Sequence, residues 1–243
     1  MSSQIPQSAI DRVAAWMSFI IEPDQVVELR ALGFDGDPYR VVRSGYFRGT
    51  ELKEMAAEAL QLSGSCQGVY YTLNPIKPAK YCLQRPRVQP ADQRGLTHDA
   101  DILSRRWILV DVDSTRDSNF SKCSASDEEK AHAAELAGKV REYLTSQGWP
   151  QPIYIDSGNG YHLLYRIENE PQPACSEDPI RACLRALATK FASSGAACDA
   201  GVYNPSRIVK FPGTKACKGP DTPDRPHRRC RVLEVPGVDL STL

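Results

Sequence analysis

The chain has 243 residues, 41% hydrophobic and 25% charged, and its 30 Lys and Arg residues balance 30 Asp and Glu residues. This composition is typical of a soluble globular protein. It excludes a disordered or fibrous chain and the overall basic character of many nucleic-acid-binding proteins. No apolar stretch approaches the roughly 20 residues of a membrane span, and the N-terminus lacks the basic region and apolar core of a signal peptide. We therefore expect a cytoplasmic protein with no membrane partner.

The first half of the chain predicts alternating helices and strands. In chain order the pattern indicates a helix (8–20), strands (26–29 and 39–47), a helix from the cap Thr50 to about Leu62, and a strand (68–75) that ends in Asn-Pro. Residues 76–104 are rich in Pro, Arg and Gln and have little periodicity. They predict a long loop, and long ordered loops are often functional.

The second half gives a clearer pattern. It predicts a strand from 105, a helix from the capping box of Ser126 and Glu129 to about Gln147, two strands around the turn SGNG (152–167), a helix from Ile180 to Phe191, and strands at SRIVKF (206–211) and RCRVLEV (229–235). The order β-α-β-β-α-β from residue 105 onward is that of the ferredoxin-like or RRM-like arrangement. The chain therefore predicts an α+β fold.

The run WILVDVD (107–113) directs two carboxylates out of an apolar strand. Side chains two positions apart share a face of a strand, so Asp111 and Asp113 point the same way while Val110 and Val112 face the opposite layer. Two neighbouring carboxylates repel one another unless a cation lies between them. Oxygen ligands of this kind suit Mg²⁺ or Mn²⁺. The alternative is a solvated strand end that opens a loop.

Further polar residues follow the carboxylates along the chain. The turn SGNG, with Ser157 and Gly158, can bring backbone N–H groups close to an anion, and His162 comes two residues after it. Alone, each of these features is better explained structurally, the turn as a tight hairpin and His162 as a hydrogen-bonded strand histidine. Downstream are a third carboxylate and two cations: Asp199, Arg207 and Lys210.

Together these residues make chemical sense for a nucleoside triphosphate. Two metal ions held by carboxylates can activate an attacking hydroxyl and stabilise leaving pyrophosphate, while His, Arg and Lys side chains hold the phosphates. The set predicts nucleotidyl transfer. One difficulty is that Arg207 and Lys210 are three positions apart, so both face one ligand only at a bulge or at the start of a strand.

The chain resembles the archaeo-eukaryotic primase superfamily, in particular the primase-polymerases of prokaryotic mobile elements and some CRISPR loci. The resemblance rests on three motifs in order, WILVDVD, DSGNGYHLLYRI (156–167) and CDAGVYNPSRIVKFPGTKACKG (198–219), and spans roughly residues 40–235. Many members have Ser two residues before the motif II histidine, where this chain has Gly160, with Ser157 further upstream.

The resemblance implies a role for each matching residue. Asp111, Asp113 and Asp199 would be the catalytic acids and ligands of two Mg²⁺ or Mn²⁺ ions. His162, Arg207 and Lys210 would hold the phosphates of the incoming nucleotide, with Ser157 and Gly158 in the adjacent turn. Asn74, in the segment TLNP (72–75), would line the nucleotide pocket.

The resemblance also implies an architecture and an activity. An N-terminal α/β module (1–104) would pack on an RRM-like catalytic module (105–243), with the active site in the cleft. The protein would be a DNA-dependent primase-polymerase, a nucleotidyltransferase that adds NTP or dNTP on a single-stranded DNA template. Its basic tail would face DNA through Lys215, Lys218, Arg225 and Arg228. Relatives often continue into a helicase or accessory primase domain. The alternatives are a metal-dependent nuclease, which needs no triphosphate clamp, and a non-catalytic replication-initiator module.

Overall fold

The computed structural model describes residues 5–34, 42–82, 88–170 and 178–242. It is a mixed α/β structure built on antiparallel sheets. Its helices are α1 (Gln7–Ser18), α2 (Leu52–Leu62), α3 (Ala79–Cys82), α4 (Asp127–Ser146) and α5 (Pro179–Lys190). Its strands are β1 (Val26–Phe34), β2 (Val42–Arg48), β3 (Cys66–Thr72), β4 (Gln89–Ala91), β5 (Arg105–Ser114), β6 (Ile153–Asp156), β7 (Gly160–Glu170), β8 (Ala196–Cys198), β9 (Ile208–Lys210), β10 (Lys215–Ala216), β11 (Arg228–Arg229) and β12 (Arg231–Glu234).

Two five-stranded sheets carry the fold. The first has the order β4-β2-β1-β3-β9 and the second the order β12-β6-β7-β5-β8, and all neighbours in both are antiparallel. The pair β10-β11 forms a small separate sheet. Strand β9 comes from the second half of the chain but pairs with β3 in the first sheet. The chain after residue 104 therefore contributes to both sheets.

The local signals in the second half are confirmed. Ser126 and Glu129 form the capping box of α4, each side chain accepting the other's backbone N–H. The SGNG turn joins β6 to β7. These elements follow from residues close together in sequence, which is why the sequence pattern predicts them correctly.

Three expectations for the first half, those for Thr50, for the strand at 39–47 and for the loop at 76–104, need correction or restriction. Thr50 does not cap a helix: it lies in a 3₁₀ turn (Gly49–Glu51), and α2 begins at Leu52. The Glu51 carboxylate instead accepts the backbone N–H of Arg48 at 2.8 Å. Of the strand expected at 39–47, residues 39–41 lie outside the described residues, and β2 forms the rest.

The segment expected to be a loop, 76–104, contains α3, β4 and two 3₁₀ turns, apart from residues 83–87, which lie outside the described part. A buried carboxylate holds this segment against the first sheet. Glu28 accepts the Thr97 N–H at 3.0 Å and the Ser44 hydroxyl at 2.6 Å, and it pairs with Arg30. Because a buried carboxylate is costly unless it is fully hydrogen-bonded, this network fixes the position of the segment.

One hydrophobic core contains side chains of both sheets. Tyr71 of β3 meets Phe211, just after β9, edge to face with ring centroids 5.9 Å apart. Val110 and Val112 of β5 are fully buried in the same core. Among the helices of the described residues, none combines the length and apolar character needed to cross a membrane.

Candidate active site

A cavity of about 390 Å³ lies where β3 and β9 of the first sheet meet β5 and β7 of the second. Its wall combines acidic, basic and imidazole side chains: Asp111, Asp113, Arg116, His162, Asp199, Arg207, Lys210 and Lys218. Ligand sites in proteins have volumes of about 300–1,000 Å³ and often lie between packed structural layers. This cavity is the candidate active site.

Strand β5 places two of the carboxylates. Asp111 and Asp113 both line the cavity, whereas Val110 and Val112 between and beside them lie in the core, as the alternation of side chains along a strand predicts. In the pairing with β7, Asp111 lies opposite His162, and Asp113 opposite Gly160.

The acids concentrate negative charge that protein donors do not satisfy. Asp111 Oδ1 is buried without a hydrogen-bond partner. Burial, followed by the charges of Asp113 and Asp199, raises the pKa of Asp111 well above its usual value. The surroundings of Asp113 also raise its pKa by desolvation, an effect that Arg116 and Lys218 oppose. A cation in the cavity would relieve this repulsion.

His162 is the neutral member of the site. Its Nε2 lies 3.6 Å from Asp111 Oδ1, and its Nδ1 is buried without a partner. Burial, assisted by the positive charge of Lys210, lowers the pKa of His162 to about 3. The contact with Asp111 is therefore no ion pair near pH 7. A neutral imidazole still has one N–H to donate to a ligand.

The third acid and the first cation share a loop. The backbone N–H of Asp199 donates to the carbonyl of Asp111 at 2.9 Å, which ties the loop to β5. The Asp199 carboxylate accepts the Gly201 N–H at 2.7 Å, and Arg207 donates to the Gly201 carbonyl at 2.8 Å. Arg207 lies just before β9 and Lys210 is its last residue. The alternation of side chains along a strand therefore does not prevent both from lining the cavity.

Of the two SGNG residues expected next to the phosphates, Ser157 and Gly158, the structure places only Ser157 at the cavity. Ser157 lines the cavity, and its hydroxyl accepts the Gly160 N–H at 3.2 Å. Gly158 does not line it: its N–H donates to the Asp156 carboxylate at 2.7 Å, so this donor is not offered to an anion. The positive φ of Gly158, 97°, serves the turn itself.

Asn74 is also placed outside the cavity. Its side-chain oxygen accepts the backbone N–H groups of Arg106 (2.9 Å) and Trp107 (3.2 Å), and its amide donates to the carbonyl of Pro205 at 3.1 Å. Asn74 thus connects the start of β5 with the loop that carries Arg207. Asn74 therefore stabilises the segments around the cavity and does not line the cavity itself.

The four cations expected to face DNA differ in their surroundings. Arg225 contacts both oxygens of Glu129 at 2.7 Å and the Ser124 carbonyl, and Arg228 pairs with Asp127 at 2.6 Å. Lys218 lines the cavity. Lys215 lies in β10, outside the cavity lining, and forms no ion pair within the part of the chain that is described.

We expect Arg225→Ala to lower the melting temperature, because it leaves Glu129 at the start of α4 without its partner. Lys215→Ala should leave the melting temperature unchanged. If the protein binds DNA through this segment, as the sequence predicts, Lys215→Ala should reduce the salt dependence of binding and Arg225→Ala should not, measured as log Kd against log salt concentration. An equal reduction by Arg225→Ala, with an unchanged melting temperature, would contradict this assignment.

The sequence patterns missed several cavity residues. Arg116 follows Asp113 by three positions, and its Nε is buried without a partner. Tyr70 lines the cavity from β3. Burial, followed by the charge of Arg116, lowers the pKa of Lys218, which lines the same cavity as Arg116. No local signal marks Arg116 or Tyr70, since each reaches the cavity only through the packing of the two sheets.

Whether the acids fit a metal ion depends on the donors present. Within the described residues, no group of three His, Cys, Asp or Glu side chains is arranged as a ready metal cage. Mg²⁺, however, is usually held by one or two carboxylates together with water and substrate phosphates. The unpartnered oxygen of Asp111 and the carboxylate of Asp113 on the same face fit such a site.

No protein-family model and no curated protein matches the chain. Among solved structures, it is similar to primase RepB′, with 12% sequence identity and a TM-score of 0.49 over 96% of this chain and 57% of that one. It is also similar to the polymerase domain of Ligase D from Mycobacterium tuberculosis, solved in complex with DNA, with 14% identity and a TM-score of 0.47 over 91% and 80% of the two chains. The chain thus spans less than two thirds of primase RepB′. Likeness at this level assigns no role to any residue of this chain.

Proposed function

We propose that the protein is a DNA-templated nucleotidyltransferase of the primase-polymerase type. One observation carries the proposal: three carboxylates and four Lys or Arg side chains line a single cavity between the two sheets. Acids alone would serve many metal-dependent hydrolases. Acids together with a cluster of cations suit a substrate that brings both metal ions and a chain of phosphates.

In this proposal the two sheets correspond to the two modules of a primase catalytic core. The N-terminal α/β module (1–104) supplies β3, and the RRM-like module (105–243) supplies the acids. Strand β9 crosses between them and brings Lys210 to the first sheet. The strand order of β6, β7, β5 and β8, with α4 and α5 between strands in the chain, supports the RRM-like interpretation.

The cations would bind the triphosphate. Arg207 and Lys210 would contact it from the β9 side, and Arg116 and Lys218 from the side of Asp113. Within the described residues, neither Arg116 nor Lys218 makes a side-chain hydrogen bond or ion pair. Two cations in one cavity that no carboxylate bonds directly repel one another, so an anionic ligand between them is stabilising. Neutral His162 would donate its N–H to a phosphate oxygen without adding a further charge.

The reaction would join a 3′-hydroxyl to the α-phosphorus of the incoming nucleotide. The O3′–P bond forms, the bond between the α-phosphorus and the bridging oxygen breaks, pyrophosphate leaves, and the hydroxyl proton passes to solvent. Asp111, Asp113 and Asp199 would hold two Mg²⁺ or Mn²⁺ ions, which supply activation of the hydroxyl and stabilisation of the leaving group. Single-stranded DNA would serve as template, with Lys215 among its contacts, and a helicase or accessory primase domain would be a partner in a longer protein.

The test is nucleotide incorporation on single-stranded DNA, with and without primer, using labelled ATP, GTP and dNTPs in Mg²⁺ and in Mn²⁺. We expect template-dependent products from the wild type. Arg207→Ala should raise KM for the nucleotide roughly 10- to 100-fold, because it removes a charged contact to phosphate. Arg12→Ala, on the exposed surface of α1, is the matched control and should behave as wild type.

The same assay separates the alternatives. Degradation of the DNA by wild type and by Arg207→Ala at equal rates, without incorporation, would identify a nuclease, because hydrolysis needs no triphosphate clamp. DNA binding that neither divalent ions nor nucleotides affect, with no incorporation, would identify a non-catalytic module. Either result would overturn the proposal.

A further inference from the structure

Lys210 is buried but is not paired with a carboxylate. Lys210 as a whole is only 8% exposed, and within the described residues it forms no ion pair. Lys130, the other largely buried lysine near the site, is paired with the Asp156 carboxylate. Burial of an ammonium group is costly unless partners replace its water. The groups that contact Lys210 therefore determine the position of its ammonium group.

Those partners belong to a single aromatic residue. Tyr70 lies directly opposite Lys210 in the pairing of β3 with β9. The Lys210 ammonium donates to the Tyr70 hydroxyl at 3.0 Å and lies 4.2 Å from the centre of the Tyr70 ring. Both contacts are with a neutral group. Each stabilises the cation without cancelling its charge.

The neighbouring glycine leaves the space that this arrangement needs. Gly68 is two residues from Tyr70 and so shares its face of β3. A Cβ at Gly68 would come within 3.0 Å of Lys210 Nζ and of the Tyr70 hydroxyl. Any larger residue at position 68 would therefore push the ammonium away from the tyrosine.

We propose that Gly68 and Tyr70 form a neutral seat that positions the Lys210 ammonium for a phosphate of the incoming nucleotide. Tyr70 is thus a positioning residue for Lys210. One ammonium N–H is used by the tyrosine hydroxyl, which leaves two for phosphate oxygens. Since Lys210 forms no ion pair within the described residues and lines the cavity, these two N–H groups can be directed at the ligand. This inference rests on the function proposed above.

Two variants disturb the seat, and a third is a matched control. Tyr70→Phe removes the hydroxyl but keeps the ring. Gly68→Ala displaces the ammonium, which is the end of a flexible side chain, and it also presses on the edge of the Tyr70 ring, so it disturbs both partners. Tyr71→Phe removes the hydroxyl of the next residue, which is fully buried and has no hydrogen-bond partner.

We expect Tyr70→Phe and Gly68→Ala each to raise KM and the Kd for dNTP on the order of tenfold, the effect of one lost hydrogen bond to a charged group. Their kcat values should change less, and their melting temperatures should stay close to that of the wild type. Tyr71→Phe should leave KM, Kd and kcat unchanged. Measuring Kd by fluorescence with a labelled dNTP keeps the test independent of turnover.

A double-mutant cycle with Lys210→Met gives the decisive comparison. If Tyr70 acts through Lys210, Tyr70→Phe has no further effect once Lys210 is replaced. Full additivity of the two changes, or a Kd of Tyr70→Phe equal to that of the wild type, would overturn the inference while leaving the proposed function intact. A wild type that binds no dNTP in Mg²⁺ or Mn²⁺ would overturn the proposed function itself. Should Tyr70→Phe fail to fold, Gly68→Ala with Lys210→Met completes the same cycle.

Discussion

We expect the replacement of both Asp111 and Asp113 by Asn to abolish nucleotide incorporation and to raise the melting temperature in metal-free buffer. Incorporation should fall by a factor on the order of 10³ or more, because the ligands for the metal ions are lost. Stability should rise because the variant removes two like charges from a cavity where Asp111 Oδ1 has no hydrogen-bond partner. Primer extension and thermal unfolding of the same preparations measure both effects.

Divalent ions provide the second half of this experiment. Mg²⁺ or Mn²⁺ should raise the melting temperature of the wild type, because binding to the native state stabilises it. The double variant should show no such increase. Asp224→Asn, an exposed change outside the cavity lining, is the control and should match the wild type in activity and in its response to metal. Retained incorporation in the double variant, or an equal metal-dependent stabilisation of it, would show that these carboxylates do not hold the ions.

The sequence predicted the parts of the site that depend on local geometry. The shared face of Asp111 and Asp113 follows from the two-residue period of a strand, and the structure places both in the cavity. The start of α4 follows from the capping box at Ser126 and Glu129. The short turn before His162 fixes the register of β7 against β6, and the pairing of β7 with β5 then places His162 opposite Asp111.

What the sequence did not reveal depends on contacts between distant segments. The run SRIVKF predicts a strand, but nothing in it indicates that β9 pairs with β3 of the first sheet. Asn74 looks like a pocket residue until its hydrogen bonds to the start of β5 and to Pro205 are known. A count of basic residues in the C-terminal segment likewise cannot show that Arg225 is already paired with Glu129.

Packing between strands also explains why Gly160 lies where many members of the resembled superfamily have serine. Gly160 lies opposite Asp113 in the antiparallel pairing of β7 with β5, and a Cβ there would come within 3.0 Å of the Val112 carbonyl and of the Asp113 carboxylate. The backbone of β5 cannot yield without disturbing the sheet. A serine, which many members have at this position, does not fit here, and Ser157 is the hydroxyl that reaches the cavity instead.

We therefore expect Gly160→Ala to destabilise the protein by about 3 kcal/mol, the upper end of the range for overpacking, and to reduce incorporation further by displacing the Asp113 carboxylate. Gly160→Ser should be at least as damaging. Urea unfolding measures the stability, and incorporation is measured at a temperature where the variant remains folded.

Gly138→Ala provides the contrast within the same chain. Gly138 lies in α4, where an added Cβ meets no atom within 4 Å. Alanine there should stabilise the protein by about 0.5–1 kcal/mol, because it restricts the unfolded chain and favours the helix. If Gly160→Ala lowers the free energy of unfolding and Gly138→Ala raises it, the steric constraint lies where β7 pairs with β5. Similar small effects of both would mean that β7 does not approach Asp113 as closely as this structure requires, and the space assigned to the Asp113 carboxylate would then be wrong.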